Sequence, residues 1–326
     1  MSKEVIVTLS DKNFIPQAMQ LFSSIYHNSG WKGDYLILYQ GKENDDLRWF
    51  RDKGIIVKSF SEITSRSFAK HPPTVLGKFH LFTPEFKRWE KVLYLDADII
   101  VEASLYKLKT VEGFNAVPDI HFKTLGDQFN PRGNGLVSSR KKLYENLNRI
   151  YDVSEPAFNT GVMAFDTDII KNFHIFDSLM DLYNKYKSIA NSDQSILNLF
   201  FLRNWNRLPL VYNNYFPYQR VAWKPRYVHT NSIIQHFLWD KPWTRNDRYY
   251  DKIWRNNLSS AQYIDLSARI EPKKVWSDDE IIKQERILKS LNHGTGPIKK
   301  FFYGGVDRID DTLGKIGNFT RGFHNQ

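Results

Sequence analysis

The stretch Lys91-Val-Leu-Tyr-Leu-Asp96-Ala-Asp98-Ile-Ile-Val101 constrains this chain more than any other. An apolar run rich in branched and aromatic residues carries into two carboxylates one residue apart, then resumes. The run before Asp96 reads as a buried strand. Charge in such a place is costly unless it is paired or bound to a metal. Asp-x-Asp at a strand end offers several hard oxygens to one divalent cation, with positions left open for phosphate oxygens. The same triplet can also simply open a turn, because Asp is a common turn former.

Upstream, segments of two periods alternate. Val5 to Leu9 reads as a first strand, and Asn13 to His27 carries Phe14, Ala18, Leu21, Phe22 and Ile25 at helical spacing. Tyr35 to Tyr39 is a second strand, followed by a helix from about Glu43 that Gly54 ends. Ile55 to Val57 is a third strand, and Leu76 to Phe82 reads as a helix leading to the strand that stops at Asp96. This order predicts an α/β fold with a mainly parallel central sheet and helices on both faces. Ligands of such sheets collect beyond the carboxyl ends of the strands, where Asp96 and Asp98 fall. The first strand-to-helix loop lacks a Gly-rich fingerprint, so a standard dinucleotide or P-loop phosphate site is not expected.

Composition narrows the chemistry. The chain has 326 residues, enough to bury a substantial core, and no Cys, which excludes disulfides, cysteine nucleophiles and zinc-thiolate sites. Met1 to Ser10 has too short an apolar stretch for a signal peptide, and no run reaches transmembrane length. A cytoplasmic protein is therefore expected. The Asn318-Phe-Thr320 sequon carries little weight without a secretory signal. The formal net charge is +10, but Lys and Arg are scattered rather than clustered, which argues against a nucleic-acid partner. Such an excess also suits a polyanionic small substrate or an anionic membrane surface. Aromatics reach 15% with nine Trp, and most of these rings are expected in the core.

Downstream, Phe158-Asn-Thr-Gly161-Val-Met-Ala-Phe-Asp166 looks like a loop entering a strand. Asn191 to Phe200 reads as a capped helix, with Asp193 and Gln194 exposed in its first turn. Asn206 to Asn213 is a further extended segment. Ile233 to Trp243 reads as a strand that delivers His236 and then Lys241 before a proline stops it. Each feature also has an ordinary role: a core histidine, a helix cap, a turn with a solvated cation.

In this order the segments resemble glycosyltransferase family 8, which includes glycogenins and bacterial lipopolysaccharide glycosyltransferases. The resemblance runs from Val5 to Trp243. Val7-Thr-Leu9, Leu76-Gly-Lys78-Phe-His-Leu-Phe82, Leu95-Asp-Ala-Asp98, Phe158-Asn-Thr-Gly-Val162, Asp193-Gln194, Leu208-Pro-Leu-Val-Tyr-Asn213 and His236-Phe-Leu with Lys241-Pro-Trp243 carry it. It implies a GT-A fold, a UDP-sugar donor, Mn2+ with Mg2+ as a substitute, and retention of anomeric configuration. Position by position, it implies Asp96, Asp98 and His236 as metal ligands, a borderline-hard set that suits Mn2+ better than Ca2+. Lys241 would hold the diphosphate, and Lys78 the diphosphate or the sugar. Thr8 and Leu9 would line the uridine pocket. Asp119, Asn159, Asp193 and Gln194 would surround the sugar.

The implied activity is transfer of a hexose, glucose first and galactose next, to a glycan or glycoprotein hydroxyl. A self-glucosylating primer and a non-catalytic nucleotide-sugar or glycan-binding module are the alternatives. Retention requires either a covalent intermediate, for which Asp193 is the matching carboxylate, or front-side attack, the reading preferred for the family. One departure stands out. The family commonly reads His-x-x-Gly-x-x-Lys-Pro-Trp, whereas Trp239 takes the Gly place here and the spacing from His236 to Lys241 is one residue short. Residues 1–255 are expected to form the catalytic domain and 256–326 a helical extension and tail, with Asp278 to His293 as an amphipathic helix. The basic-aromatic Lys299 to Tyr303 leaves peripheral membrane contact open, although Asp307, Asp310 and Asp311 dilute the charge. A homodimer is equally open.

Overall fold

A computed structural model describes residues 3–63, 72–130, 138–170, 174–190, 192–215, 230–238, 240–268 and 270–293. Trp239 and the tail lie outside the described residues. In chain order the strands are β1 (Glu4–Ser10), β2 (Asp34–Gln40), β3 (Ile56–Phe60), β4 (Lys91–Leu95), β5 (Ile99–Val101), β6 (Phe114–Pro118), β7 (Phe158–Asp166), β8 (Asn206–Arg207) and β9 (Ile234–His236). The α-helices are α1 (Ile15–Ser29), α2 (Arg48–Asp52), α3 (Leu125–Phe129), α4 (Ser138–Ile150), α5 (Ile175–Tyr186), α6 (Asp193–Phe200), α7 (Tyr249–Ser260) and α8 (Asp278–His293).

Seven strands form one sheet in the order β3-β2-β1-β4-β7-β6-β8. β1, β2, β3 and β4 run parallel, and only β7 is reversed, pairing antiparallel with both β4 and β6. The sheet is buried on both faces, which is why its central strands are almost uninterrupted apolar runs. Alternate residues feed two cores. Ile6, Ile37 and Leu93 pack on the α1 side, while Val5, Val7, Leu36 and Val92 pack on the side of α5 and α6. The segment beyond α7 joins the first of these cores through Ile264, Trp276, Ile281 and Leu288.

Two expected helices differ. The segment after Glu43 is a 3₁₀ turn at Asp45–Leu47 followed by the short α2. Leu76 to Phe82 belongs to a 3₁₀ helix, Pro73–Phe82. A close approach at Gly77 goes with the tighter winding there: a Cβ would lie 2.4 Å from the Phe60 ring and 2.7 Å from Leu9. Elsewhere, Phe158 to Asp166 is strand throughout. The expected extended segment at 206–213 is the two-residue β8 and a 3₁₀ turn, Leu210–Tyr212, and β9 ends at His236.

Three features of this frame bring the site together. β7 breaks register with β6 between Ala116 and Val117, yet stays paired with β4 up to Leu95, so Gly161 O accepts from Asp96 N at 2.9 Å. β5 and β9 form a two-stranded antiparallel sheet in which Ile99 faces His236, and Phe237 N donates to Asp98 O at 3.1 Å. α1 pins the far end of β5: Val101 N donates to Ser24 Oγ at 3.1 Å and Val101 O accepts from Asn28 Nδ2 at 2.8 Å.

Candidate metal and donor site

A cavity of about 340 Å³ opens at the carboxyl ends of β1 and β4, where an α/β sheet binds its ligands. Its floor carries Asp96, Asp98 and His236, whose ligating atoms lie within 4.8 Å of one another. His236 Nε2 is 3.1 Å from Asp98 Oδ1 and 4.0 Å from Asp96 Oδ2. The other ring nitrogen, Nδ1, is 2.8 Å from Asn213 Oδ1. Gly161 packs close to the ring, where a Cβ would come within 2.4 Å of His236 Cε1.

This donor set fits a divalent cation. With Nδ1 donating to Asn213, Nε2 presents its lone pair to two carboxylates, an arrangement that is repulsive unless a proton or a metal lies between them. Tyr94, two residues before Asp96 and on the α5–α6 face of β4, donates its hydroxyl to Asp96 Oδ1 at 2.6 Å. Burial, and next the Asp96 charge, raises that phenol well above its ordinary range, so it stays a donor.

Two lysines balance the acids. Lys78 Nζ sits 3.0 Å from Asp96 Oδ1 and 3.3 Å from Asp193 Oδ2, and also reaches Thr160 Oγ1 at 3.2 Å. Burial alone would lower its pKa; Asp193 and then Asp96 outweigh burial and raise it above the ordinary lysine value. Lys241 Nζ pairs with Asp98 Oδ2 and donates to Phe237 O. Burial would raise the Asp98 carboxyl, but the Lys241 ammonium, joined by His236 whenever the ring is doubly protonated, holds it far below the carboxylate range. Lys241 lies in the turn after β9 rather than on the strand, which is why its ammonium folds back onto Asp98.

The remaining polar residues form one network. Asp193 and Gln194 open α6 behind a Ser192 cap, but they are buried (3% and 8% exposed) rather than exposed, because this turn faces β7 instead of solvent. Gln194 Oε1 accepts from Asn159 Nδ2 at 2.9 Å and Thr160 N at 3.1 Å, and its Nε2 donates to Asp119 Oδ2 at 2.7 Å. The backbone N–H groups of His121 and Phe122 hold Asp119 Oδ1.

Of the positions singled out in the sequence, Leu9, Lys78, Asp96, Asp98, Asn159, Asp193, Gln194, His236 and Lys241 line the cavity. Asp119 touches it through Gln194. Thr8 does not line it: alternation along β1 puts its side chain on the opposite face from Leu9, where the hydroxyl is buried without a hydrogen-bond partner among the described residues. Asn213, Tyr94 and Thr160 received no role from the sequence. Tyr94 was the most accessible to inference, since i and i+2 share a strand face.

Comparison with known proteins agrees with this geometry. The family model for glycosyl transferase family 8 matches residues 5–247. Glycosyltransferase GlyB of Streptococcus pneumoniae is 28% identical over 244 residues, covering 66% of this chain and 53% of that protein. Lipopolysaccharide 1,2-glucosyltransferase of Escherichia coli is 27% identical over 216 residues, covering 63% of this chain and 57% of that protein. The chain thus spans little more than half the length of these relatives. Among solved structures, galactosyltransferase LgtC in complex with donor and acceptor sugar analogs superposes with a TM-score of 0.55 at 19% identity, covering 78% of this chain and 95% of that one. That likeness is one of fold, the GT-A fold. With the family model spanning residues 5–247, most of the sheet and every residue of the metal and lysine cluster, this chain belongs to glycosyltransferase family 8.

Proposed function

We propose that this chain is a retaining glycosyltransferase that moves a hexose, glucose before galactose, from a UDP-sugar to a hydroxyl of a glycan or glycoprotein. The observation that carries the reading is the convergence of Asp96, Asp98 and His236 with Lys78 and Lys241 in one cavity at the strand ends. Two carboxylates and an imidazole would hold Mn2+, with Mg2+ a weaker substitute. Bound there, the cation would act as a Lewis acid toward the diphosphate and the charge growing on the departing UDP. Lys241, which contacts Asp98, would exchange that contact for a phosphate oxygen. Asp193, Gln194, Asn159 and Asp119 would orient the sugar, with Leu9 against the uridine and Thr8 supporting that strand end from its other face.

Front-side attack is the favoured route. The sugar's C1–O bond to phosphate breaks as the C1–O bond to the acceptor forms on the same face, and the acceptor proton passes to a β-phosphate oxygen. Lys78 at 3.3 Å and the Thr160 hydroxyl at 3.1 Å hold Asp193 Oδ2, so a double-displacement route would have to use its Oδ1. Residues 1–255 would form the catalytic unit, with the remainder as an extension. Among the described residues no helix is long and apolar enough to cross a membrane, and we favour a cytoplasmic enzyme that touches a membrane surface, if anywhere, through its tail.

The test is UDP release from a panel of UDP-sugars with and without Mn2+, followed by the intact mass of the protein. Metal-dependent release with one hexose is expected. Release that survives Asp98→Ala without metal dependence would overturn the reading, and a mass increase on the chain itself would identify a self-glucosylating enzyme instead.

A further inference from the structure

We propose that Asn213 is a positioning residue for His236. It holds the imidazole in its Nδ1–H form with Nε2 turned toward Asp96 and Asp98, and it ties that ring through a one-way chain of amides to Asp119. The proposal rests on the metal-centre reading of those three ligands.

The argument starts from groups that can hydrogen-bond in only one sense. The Gly161 N–H can only donate, and it does so to Asn159 Oδ1 at 2.8 Å. Asn159 Oδ1 is therefore an acceptor, and Asn213 must face it with Nδ2, at 2.9 Å. The oxygen of Asn213 is then the atom left for His236, 2.8 Å from Nδ1, so Nδ1 carries the proton. On the other side, the Thr160 N–H fixes Gln194 Oε1 as an acceptor at 3.1 Å, and Asn159 Nδ2 donates to that same oxygen. Gln194 Nε2 then donates to Asp119 Oδ2, a carboxylate oxygen that only accepts.

Along the chain His236, Asn213, Asn159, Gln194, each link donates in the direction of Asp119. Asn213 Nδ2 also donates to the Tyr215 hydroxyl, and Gln194 Nε2 to Gln128 Oε1. Asn213 is fully buried and His236 is 1% exposed, so water does not compete for the bond between them. Hydrogen bonds in such a row polarise one another, and a metal-binding imidazole gains basicity from an acceptor on its second nitrogen. The arrangement joins the metal end of the cavity to its acid–amide end by a route separate from Lys78, which contacts both Asp96 and Asp193.

The test compares Asn213→Leu, which removes the acceptor, with Asn213→Asp, which keeps an acceptor for Nδ1 but loses the donation to Asn159. Mn2+ uptake is read directly by titrating the full chain and following the free-ion resonance, with thermal melts to confirm folding. Asn213→Leu is expected to bind Mn2+ about 10–100-fold more weakly, while Asn213→Asp stays within about threefold of wild type. A Leu variant that binds as wild type does, or an Asp variant as weak as the Leu variant, overturns the proposal. If the Leu variant does not fold, an Asp variant that binds Mn2+ about tenfold or more weakly than wild type overturns the proposal, and the His236 tautomer decides otherwise.

A second readout needs no metal. In the metal-free protein at alkaline pH, long-range 1H–15N correlations should show the His236 proton on Nδ1 in wild type and Asn213→Asp. A proton on Nε2 in wild type refutes the proposal. A wild type that takes up no Mn2+ would instead overturn the metal centre, and the tautomer would then decide the role of Asn213 by itself.

Discussion

Adding one methyl group at Gly161 should damage the metal site and leave the sheet standing. An ideal Cβ there lies 2.4 Å from His236 Cε1, 2.8 Å from His236 Nδ1 and 2.9 Å from Asn159 Oδ1. Ordinary contact begins near 3.4 Å, so the ring must retreat by about 1 Å, the difference between 3.4 and 2.4. It has little room: Asn213 holds Nδ1, and the residue is paired through β9 to Ile99. Gly161 has no positive φ to defend, so the clash is purely steric. Overpacking of this kind costs about 1–3 kcal/mol of stability. Displacing a metal-bound imidazole by such a distance should weaken Mn2+ binding on the order of 10–100-fold, as losses around metal ligands do. Chemical denaturation of Gly161→Ala together with Mn2+ titration gives both numbers. A variant that binds Mn2+ like wild type, at any stability, would refute the claim that the packed position of His236 makes the site.

Further outcomes follow from the same contacts. Lys78→Met removes the cation between Asp96 and Asp193 and leaves buried charge uncompensated, which should cost about 3–5 kcal/mol in denaturant unfolding at neutral pH. The Lys78 pKa is raised above 10.5 in the folded chain, so its stabilisation is complete below 10.5 and is lost as pH rises through the higher folded value. Alkaline unfolding of Lys78→Met should therefore lose that part of its pH dependence, as a pH series of melts would read. Tyr94→Phe deletes a hydrogen bond to the Asp96 carboxylate and should cost about 1.5–3 kcal/mol, with a weaker Mn2+ titration and unchanged secondary structure by circular dichroism. Chelation with EDTA should abolish UDP release, and excess Mn2+ should restore it.

The parallel half of the sheet was legible because strands buried on both faces must be apolar at nearly every position. The carboxylate pair was legible for the opposite reason, as charge where charge is costly. Residues that act through distant partners were not. Asn213 takes its role from Asn159 and His236, 54 and 23 residues away, and no local pattern in Leu208 to Asn213 encodes that. The burial of Asp193 and Gln194 was missed because a capped first turn looks the same whether it faces solvent or a cavity. The 3₁₀ winding of Pro73–Phe82 accompanies the packing of Gly77 against Phe60 and Leu9, a tertiary contact that overrides the apolar periodicity. Trp239, which stands at the place of the family's glycine, falls outside the described residues.

The central claim is that Asp96, Asp98 and His236 together hold the cation through which a nucleotide diphosphate is bound. Equilibrium binding of UDP to wild type and Asp98→Asn, each with and without saturating Mn2+, tests it most directly. Mn2+ should tighten UDP binding to wild type at least about tenfold, equivalent to about 1.4 kcal/mol, and should have no such effect on Asp98→Asn. UDP binding to wild type that is indifferent to Mn2+ would contradict the account.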